Sequence, residues 1–193
     1  MFDNILSSRF YAICNGIARI MYLTILFMLA SLPMITIGAS LTALIATSRQ
    51  PECNVFSLFW QTFTANILRG TVVLIFTVFS MLSLMELWYF ANMIPAGNIL
   101  VILVGIFLIV YNLNAYLFVS ILKRCGLTFF RQVFFFTIGT IYKTFLVPVI
   151  AVIFAIVTPI IGDIPLLLMS LPIVLTIYVK LVKNDLETVE ELL

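Results

Sequence analysis

Histidine is absent from this chain of 193 residues, and charged side chains make up only 9% of it. Without histidine, the chain lacks the commonest general base and the commonest metal ligand. Ten Lys/Arg and eight Asp/Glu are too few to cover a soluble globule of this size, because soluble domains are about 25% charged. A net charge of +2 is also too small for a nucleic-acid-binding surface. The composition therefore excludes an ordinary soluble domain and predicts no nucleic-acid partner.

Motifs for catalysis or metal binding are lacking as well. Cys14, Cys53 and Cys125 stand far apart and form no C-x-x-C pair, so they predict reduced thiols that serve as small apolar residues. The sequence contains no H-E-x-x-H, G-x-S-x-G or P-loop motif, and no two carboxylates are paired at a usable spacing. We therefore expect no cofactor, no bound metal and no enzymatic activity.

Apolar residues dominate the chain, at 64% of positions and a mean hydropathy of +1.25. A helix needs about 20 such residues to cross a hydrocarbon core about 30 Å thick. The sequence predicts an all-α, polytopic membrane helix bundle with five to six crossings, in a single domain over residues 1–193. Charges and turn formers place the crossings at about 17–34, 70–92, 99–122, 144–161 and 165–182, with a short arm at about 36–48. The turn formers at 95–98 predict an exposed loop that contains Gly97.

The uncharged stretch 20–48 has two interpretations, because it is too long for one crossing and short for two. In one, a single helix crosses the membrane and the remainder lies at the interface. In the other, Pro33 and Gly38 mark the tip of a helical hairpin, since proline disfavours helix at the residue before it. The return arm of that hairpin spans only about 15 Å, which favours a re-entrant arm buried against its neighbours.

The distribution of Lys and Arg favours the hairpin. Basic residues in short loops stay on the cytoplasmic side of a membrane. With the hairpin there are six crossings, both termini are cytoplasmic and all ten basic residues face inward. With a single first crossing there are five, and Arg9 and Arg19 lie outside. The sequence thus predicts a plasma-membrane protein with a cytoplasmic C-terminus and, through the hairpin, a cytoplasmic N-terminus.

Two further segments have the pattern of amphipathic helices that lie in the membrane interface. In 54–68, aromatic and aliphatic side chains recur every three or four residues, and Arg69 follows the segment. Residues 127–143 are similar but more apolar, with Arg131 and Lys143 near their ends. Each segment precedes a predicted crossing.

Three polar side chains inside predicted crossings are candidate functional residues. Glu86 is the one acidic residue in such a segment, and an ionisable group at bilayer depth is a functional candidate. Trp88 and Tyr89 follow it, however, and such aromatic residues typically mark the headgroup level. Asn112 and Asn114 are two positions apart and cannot share one helix face. We expect a hydrogen bond from one of them to a neighbouring helix, while the other reaches a cavity or the interface.

Small and hydroxyl-bearing residues gather near the predicted hairpin tip. Thr36, Ser40 and Thr42 bring hydroxyl groups to it, and Gly38 allows close helix approach. Helix packing is the favoured interpretation of these four positions, with ligand binding as the alternative.

The run from Leu32 to Ser40, followed by Thr42-Ala43-Leu44, resembles the N-terminal signature of the YesL family of bacterial integral membrane proteins. Phe59-Trp60, Phe63 and Asn66 are similar to the aromatic helix of that family, although Gln61, Thr62 and Thr64 make this helix less basic than usual. The family has no defined molecular function. The resemblance spans about residues 17–182 and implies a link to carbohydrate uptake, since relatives often accompany sugar ABC-transporter components.

Two functions remain open at this point, with a membrane enzyme as a third and weaker alternative. One is an accessory or interaction protein whose partners are the lipid bilayer and ABC-transporter components or a second copy of the chain. The other is a small oligomeric transporter or channel. The scarcity of charge inside the predicted crossings favours the accessory protein.

Overall fold

The computed structural model describes residues 2–93, 97–122, 126–161 and 164–191. These residues are helical throughout, apart from short turns, and contain no strand, so the predicted all-α fold is confirmed over them. The helices are α1 (Phe2–Ala30), α2 (Ile37–Arg49), α3 (Val55–Ala65), α4 (Ile67–Ala91), α5 (Gly97–Ile121), α6 (Leu127–Thr144), α7 (Leu146–Ile161) and α8 (Ile164–Glu191), with a 3-10 turn at Met34–Thr36 before α2.

Helices α1 and α2 form an antiparallel hairpin. At its tip, the Thr36 hydroxyl donates to the carbonyl of Ala30, 2.6 Å away. At its open end, the Arg19 guanidinium donates to the carbonyls of Thr47 and Gln50, at 2.8 Å and 3.0 Å. The chain therefore reverses at residues 31–36, as in the hairpin interpretation. How far each arm enters a bilayer stays a prediction.

The short α2 lies at the centre of the bundle. It packs against α1, α3, α4, α5 and α8, and nine of its 13 residues are buried. A helix of this length rises about 20 Å, which is less than a hydrocarbon core of about 30 Å. Five helices thus surround α2, and most of its length is hidden from the surface of the bundle.

Glycine permits a very close contact between α2 and α4. A Cβ atom added to Gly38 would lie 2.0 Å from the carbonyl oxygen of Gly70, and one added to Gly70 would lie 2.5 Å from the backbone nitrogen of Ala39. The two backbones touch directly, so no side chain fits between them. The Thr71 hydroxyl lies 3.2 Å from the carbonyl oxygen of Ile35 at the same crossing.

Two bends connect consecutive helices, α3 to α4 and α6 to α7. Asn54 begins α3, because its side chain accepts hydrogen bonds from the backbone N–H groups of Phe56 and Ser57. Phe59 and Phe63 turn into the core, and the chain bends at Asn66 to enter α4. Similarly, α6 meets α7 at an angle of 59°. The bounds of α3 and α6 fall within 54–68 and within about one residue of 127–143, while their interfacial location stays a prediction.

Three helical stretches are long and apolar enough to cross a membrane: Ile13–Ala30, Ile67–Ala91 and Gly97–Ile121. Residues Thr128–Thr144 and Leu146–Ile153 would make a fourth if the bent pair counts as one span. The described residues thus support three or four spans, and the finer prediction of five to six crossings is not confirmed. Long apolar helices of this kind are compatible with a membrane protein.

Two expectations about individual residues need correction. Gly97 does not lie in an exposed loop, because it is the first residue of α5 and an added Cβ would lie 2.5 Å from the carbonyl oxygen of Ala91. Cys14 and Cys53 are free thiols, but both are exposed instead of packing as small apolar residues. Cys125 lies outside the described residues.

The Gly38–Gly70 contact predicts that Gly→Ala substitutions at these two positions destabilise the protein, although such substitutions usually stabilise a helix. Gly38→Ala and Gly70→Ala should each destabilise the protein by at least about 1–3 kcal/mol, the usual cost of overpacking. Gly139→Ala in α6 is the matched control, because an added Cβ there meets nothing within 4 Å. That variant should gain up to about 1 kcal/mol from better helix propensity. Thermal unfolding in detergent measures all three, and equal responses would contradict the contact.

Candidate functional site: two polar clusters and a basic cavity

Asn112 connects α5 to α4 through a chain of polar side chains. Its amide nitrogen donates to the Ser80 hydroxyl at 3.1 Å and to the Leu108 carbonyl at 2.9 Å. Its amide oxygen lies 3.0 Å from the Thr77 hydroxyl, which in turn lies 3.1 Å from the Tyr116 hydroxyl. A hydroxyl group has one proton to donate. The contacts are satisfied when Tyr116 donates to Thr77, Thr77 donates to Asn112, and Asn112 donates to Ser80. Every side chain in this series then has a hydrogen-bond partner.

Asn114 connects α5 to α6 and α8 on the other side. Its amide nitrogen donates to the Thr137 hydroxyl at 2.9 Å, and its amide oxygen accepts a hydrogen bond from the Tyr178 hydroxyl. The Thr137 hydroxyl donates onward to the Val133 carbonyl at 2.7 Å. All three side chains are fully buried. One asparagine thus joins three helices through polar groups that have no access to solvent.

Both asparagines bond to neighbouring helices, so neither reaches a cavity or the interface as the sequence had led us to expect for one of them. Two positions along a helix differ by about 200° in direction, which sends the two side chains to opposite faces. Their partners were not predicted, because Thr77, Ser80, Thr137 and Tyr178 are ordinary residues in sequence. Tertiary packing alone brings them to α5.

Glu86 lies apart from both clusters. Its side chain is exposed near the end of α4, beside Trp88 and Tyr89, which are 47% and 66% exposed. Within the described part of the chain, no hydrogen bond or ion pair involves it. This environment is that of a carboxylate at the headgroup level and not of a buried proton carrier.

The hydroxyl groups near the hairpin tip bond to nearby backbone. Thr36 donates to Ala30 or Pro33, Ser40 to Ile37 and Thr42 to Ala39. Ser40 and Thr42 are completely buried, and their hydroxyl groups have carbonyl partners one turn away. These contacts favour the packing role over ligand binding for Thr36, Gly38, Ser40 and Thr42.

Arg19 supplies hydrogen-bond donors to the backbone carbonyls at the C-terminal end of α2. The last carbonyls of a helix have no partner within the helix and carry its partial negative charge. The Arg19 guanidinium donates to three of the carbonyls at this end, those of Thr47, Gln50 and Pro51. A guanidinium group has five N–H donors, so two remain.

A cavity of about 480 Å³ lies beside this cap, between α1, the end of α2 and α8. Small-molecule sites typically have volumes of about 300–1,000 Å³. Arg19, Arg49, Lys180 and Lys183 line the cavity together with one carboxylate, Glu187. The carboxylate lies 3.8 Å from Lys183, so the cations outnumber the anions around the cavity.

Ser48 adds an unsatisfied polar group to the cavity wall. Its hydroxyl oxygen is buried and has no hydrogen-bond partner within the described residues, and Ser48 lines the cavity. Buried hydroxyl groups almost always have a partner, so an unsatisfied one calls for an explanation. No local sequence pattern signals this cavity, since its residues come from four helices, α1, α2, α5 and α8. No group of three His, Cys, Asp or Glu within the described ranges is placed to hold a metal.

Comparison with known families gives one match. Residues 20–87 match the model of a family described as "Protein of unknown function, DUF624". The matched segment contains the turn of the hairpin, all of α2 and α3, and most of α4, including Gly38 and Gly70. Searches of curated proteins and of solved structures give no match. The similarity thus leads to an uncharacterised family and assigns no role to any residue.

The Asn114 cluster predicts a measurable loss when one hydroxyl is removed. Tyr178→Phe leaves the buried amide oxygen of Asn114 without its donor, and interhelical hydrogen bonds in membrane proteins contribute about 0.6 kcal/mol on average and up to about 1.7. We expect a loss of stability in this range, measured by thermal unfolding in detergent. The matched control is Tyr89→Phe, because Tyr89 is 66% exposed, packs its ring against Phe90, and has no hydrogen bond from its hydroxyl group within the described residues. Equal stability of the two variants would refute the cluster.

Proposed function

We propose that this chain is a multi-pass bacterial plasma-membrane protein, similar to the YesL family, that acts as a non-catalytic accessory partner of a membrane complex such as a carbohydrate ABC transporter. The long apolar helices support the membrane location, and the match over residues 20–87 to a family of unknown function agrees with an undefined molecular activity. The resemblance of the hairpin-tip sequence to the YesL signature supports the link to carbohydrate uptake.

One observation favours an accessory role over a transporter. The polar side chains of the Asn112 and Asn114 clusters are satisfied by one another and by backbone carbonyls, and the two clusters lie on opposite sides of α5. A transport path needs polar groups that face a water-filled route. Asn112 and Asn114 are instead buried, and Glu86 is exposed and makes no hydrogen bond to either cluster within the described residues.

The orientation follows from the location of the basic residues. Arg19, Arg49, Lys180 and Lys183 come together around one cavity, although they are far apart in sequence. Basic residues gather on the cytoplasmic side of membrane proteins, so we assign this end of the bundle to the cytoplasm. Six crossings with both termini inside satisfy this assignment, with α2 as a re-entrant arm.

Copurification tests the accessory role. The full-length protein, tagged and extracted from bacterial membranes in mild detergent, should copurify with the permease subunits of a carbohydrate ABC transporter. Deletion of the gene should reduce uptake of that transporter's substrate. The proposal fails if the protein purifies alone and deletion leaves carbohydrate uptake unchanged. Solute transport by the protein alone in vesicles would instead establish the alternative, a small oligomeric transporter or channel.

Reporter fusions test the proposed orientation separately. A reporter that is active only in the cytoplasm should be active when fused before residue 1 and when fused after residue 193. A periplasmic N-terminus combined with a cytoplasmic C-terminus would leave five crossings and overturn the re-entrant arm. A soluble reporter fusion, recovered outside the membrane fraction, would refute the membrane location itself.

A further inference from the structure

We propose that the basic cavity between α1, α2 and α8 binds the phosphodiester headgroup of an anionic phospholipid. The inference rests on the membrane location proposed above and adds a ligand that the accessory role does not require. Its basis is the chemistry of the cavity wall, taken in three steps.

The first step concerns charge. Arg19 and Lys180 have no carboxylate partner among the described residues, and Glu187 is the one carboxylate that lines the cavity. The end of α2 contributes a partial negative charge of about half an elementary charge. This is smaller than the combined charge of the surrounding cations, so the cavity favours an anion.

The second step concerns hydrogen-bond donors. Arg19 keeps two N–H groups free after it caps α2, and its fixed position makes them directional. Guanidinium N–H groups match phosphate oxygens geometrically. A phosphate group would thus satisfy N–H groups of Arg19 that have no partner among the described residues.

The third step distinguishes a lipid from a soluble phosphate. Apolar side chains form much of the remaining wall, among them Ile20, Leu23 and Leu186. They adjoin the exposed apolar face of α1, where Ile17 and Met21 are each 50% exposed. A ligand with a charged head and apolar chains fits this surface, because the chains can continue along α1. The cytoplasmic leaflet, to which we assign this end, contains the anionic lipids.

Lipid-dependent thermal unfolding of the full-length protein in mild detergent tests the proposal. Added phosphatidylglycerol should raise the melting temperature more than added phosphatidylcholine. Lys180→Gln removes one exposed cation and leaves the cap of α2 intact. It should therefore raise the phosphatidylglycerol concentration needed for half-saturation about fivefold. Arg131→Gln is the charge-matched control, since Arg131 is exposed on α6 and does not line the cavity. It should respond like the unmodified protein.

A second pair of variants tests the cavity without changing charge. Gly16 lines the cavity and Gly139 does not, and an added Cβ at either position meets nothing within 4 Å. Gly16→Phe should therefore fold normally but abolish the stabilisation by phosphatidylglycerol, whereas Gly139→Phe should retain it. Unchanged stabilisation of both Lys180→Gln and Gly16→Phe would overturn the site.

A third experiment adds inorganic phosphate at constant ionic strength. We expect it neither to stabilise the protein nor to displace phosphatidylglycerol. If phosphate alone reproduces the stabilisation, the ligand is a soluble phosphate compound and the lipid assignment is wrong. Equal stabilisation by phosphatidylcholine would also refute it. The assay uses purified protein, so its failure is independent of whether a transporter copurifies.

Discussion

A helix of 13 residues at the centre of a bundle leaves four N–H groups and four carbonyls without intrahelical partners. In an apolar environment each of these groups needs a partner supplied by the protein. For α2, the 3-10 turn before Ile37 continues the hydrogen bonding at the first end, and Arg19 caps the second. The antiparallel course of α1 follows from this need, because it brings Arg19 beside Thr47. The direct contact of α2 with Gly70 then fixes α4 against it.

Local signals in the sequence predicted part of this fold. Pro33 and Gly38 are local signals, and they predicted a reversal that the antiparallel α1 and α2 display. Uncharged stretches and turn formers similarly predicted long helices, and apolar periodicity predicted the segments 54–68 and 127–143, within or close to which α3 and α6 lie. Gly97 was misjudged because turn composition predicts a loop, whereas its close approach to Ala91 is a packing property. No local pattern reports the distance between two backbones.

The candidate site likewise contains residues that the sequence predicted and residues that it did not. Asn112 and Asn114 were predicted because a polar side chain inside an apolar run is visible in the sequence alone. Their partners Thr77 and Tyr178 were not, since threonine and tyrosine are common in membrane helices and only the fold selects these two. The cavity was missed for the same reason. Arg19, Ser48 and Lys180 come from three helices, and the unsatisfied Ser48 hydroxyl exists only in the folded molecule.

The opposite directions of Asn112 and Asn114 have a mechanical consequence. A rotation of α5 about its axis, or a slide along it, would break hydrogen bonds to α4, α6 and α8 at the same time. Hydrogen bonds on opposite faces of α5 resist both movements. Helix α5 is thus held in place by hydrogen bonds on both of its faces, to α4 on one side and to α6 and α8 on the other.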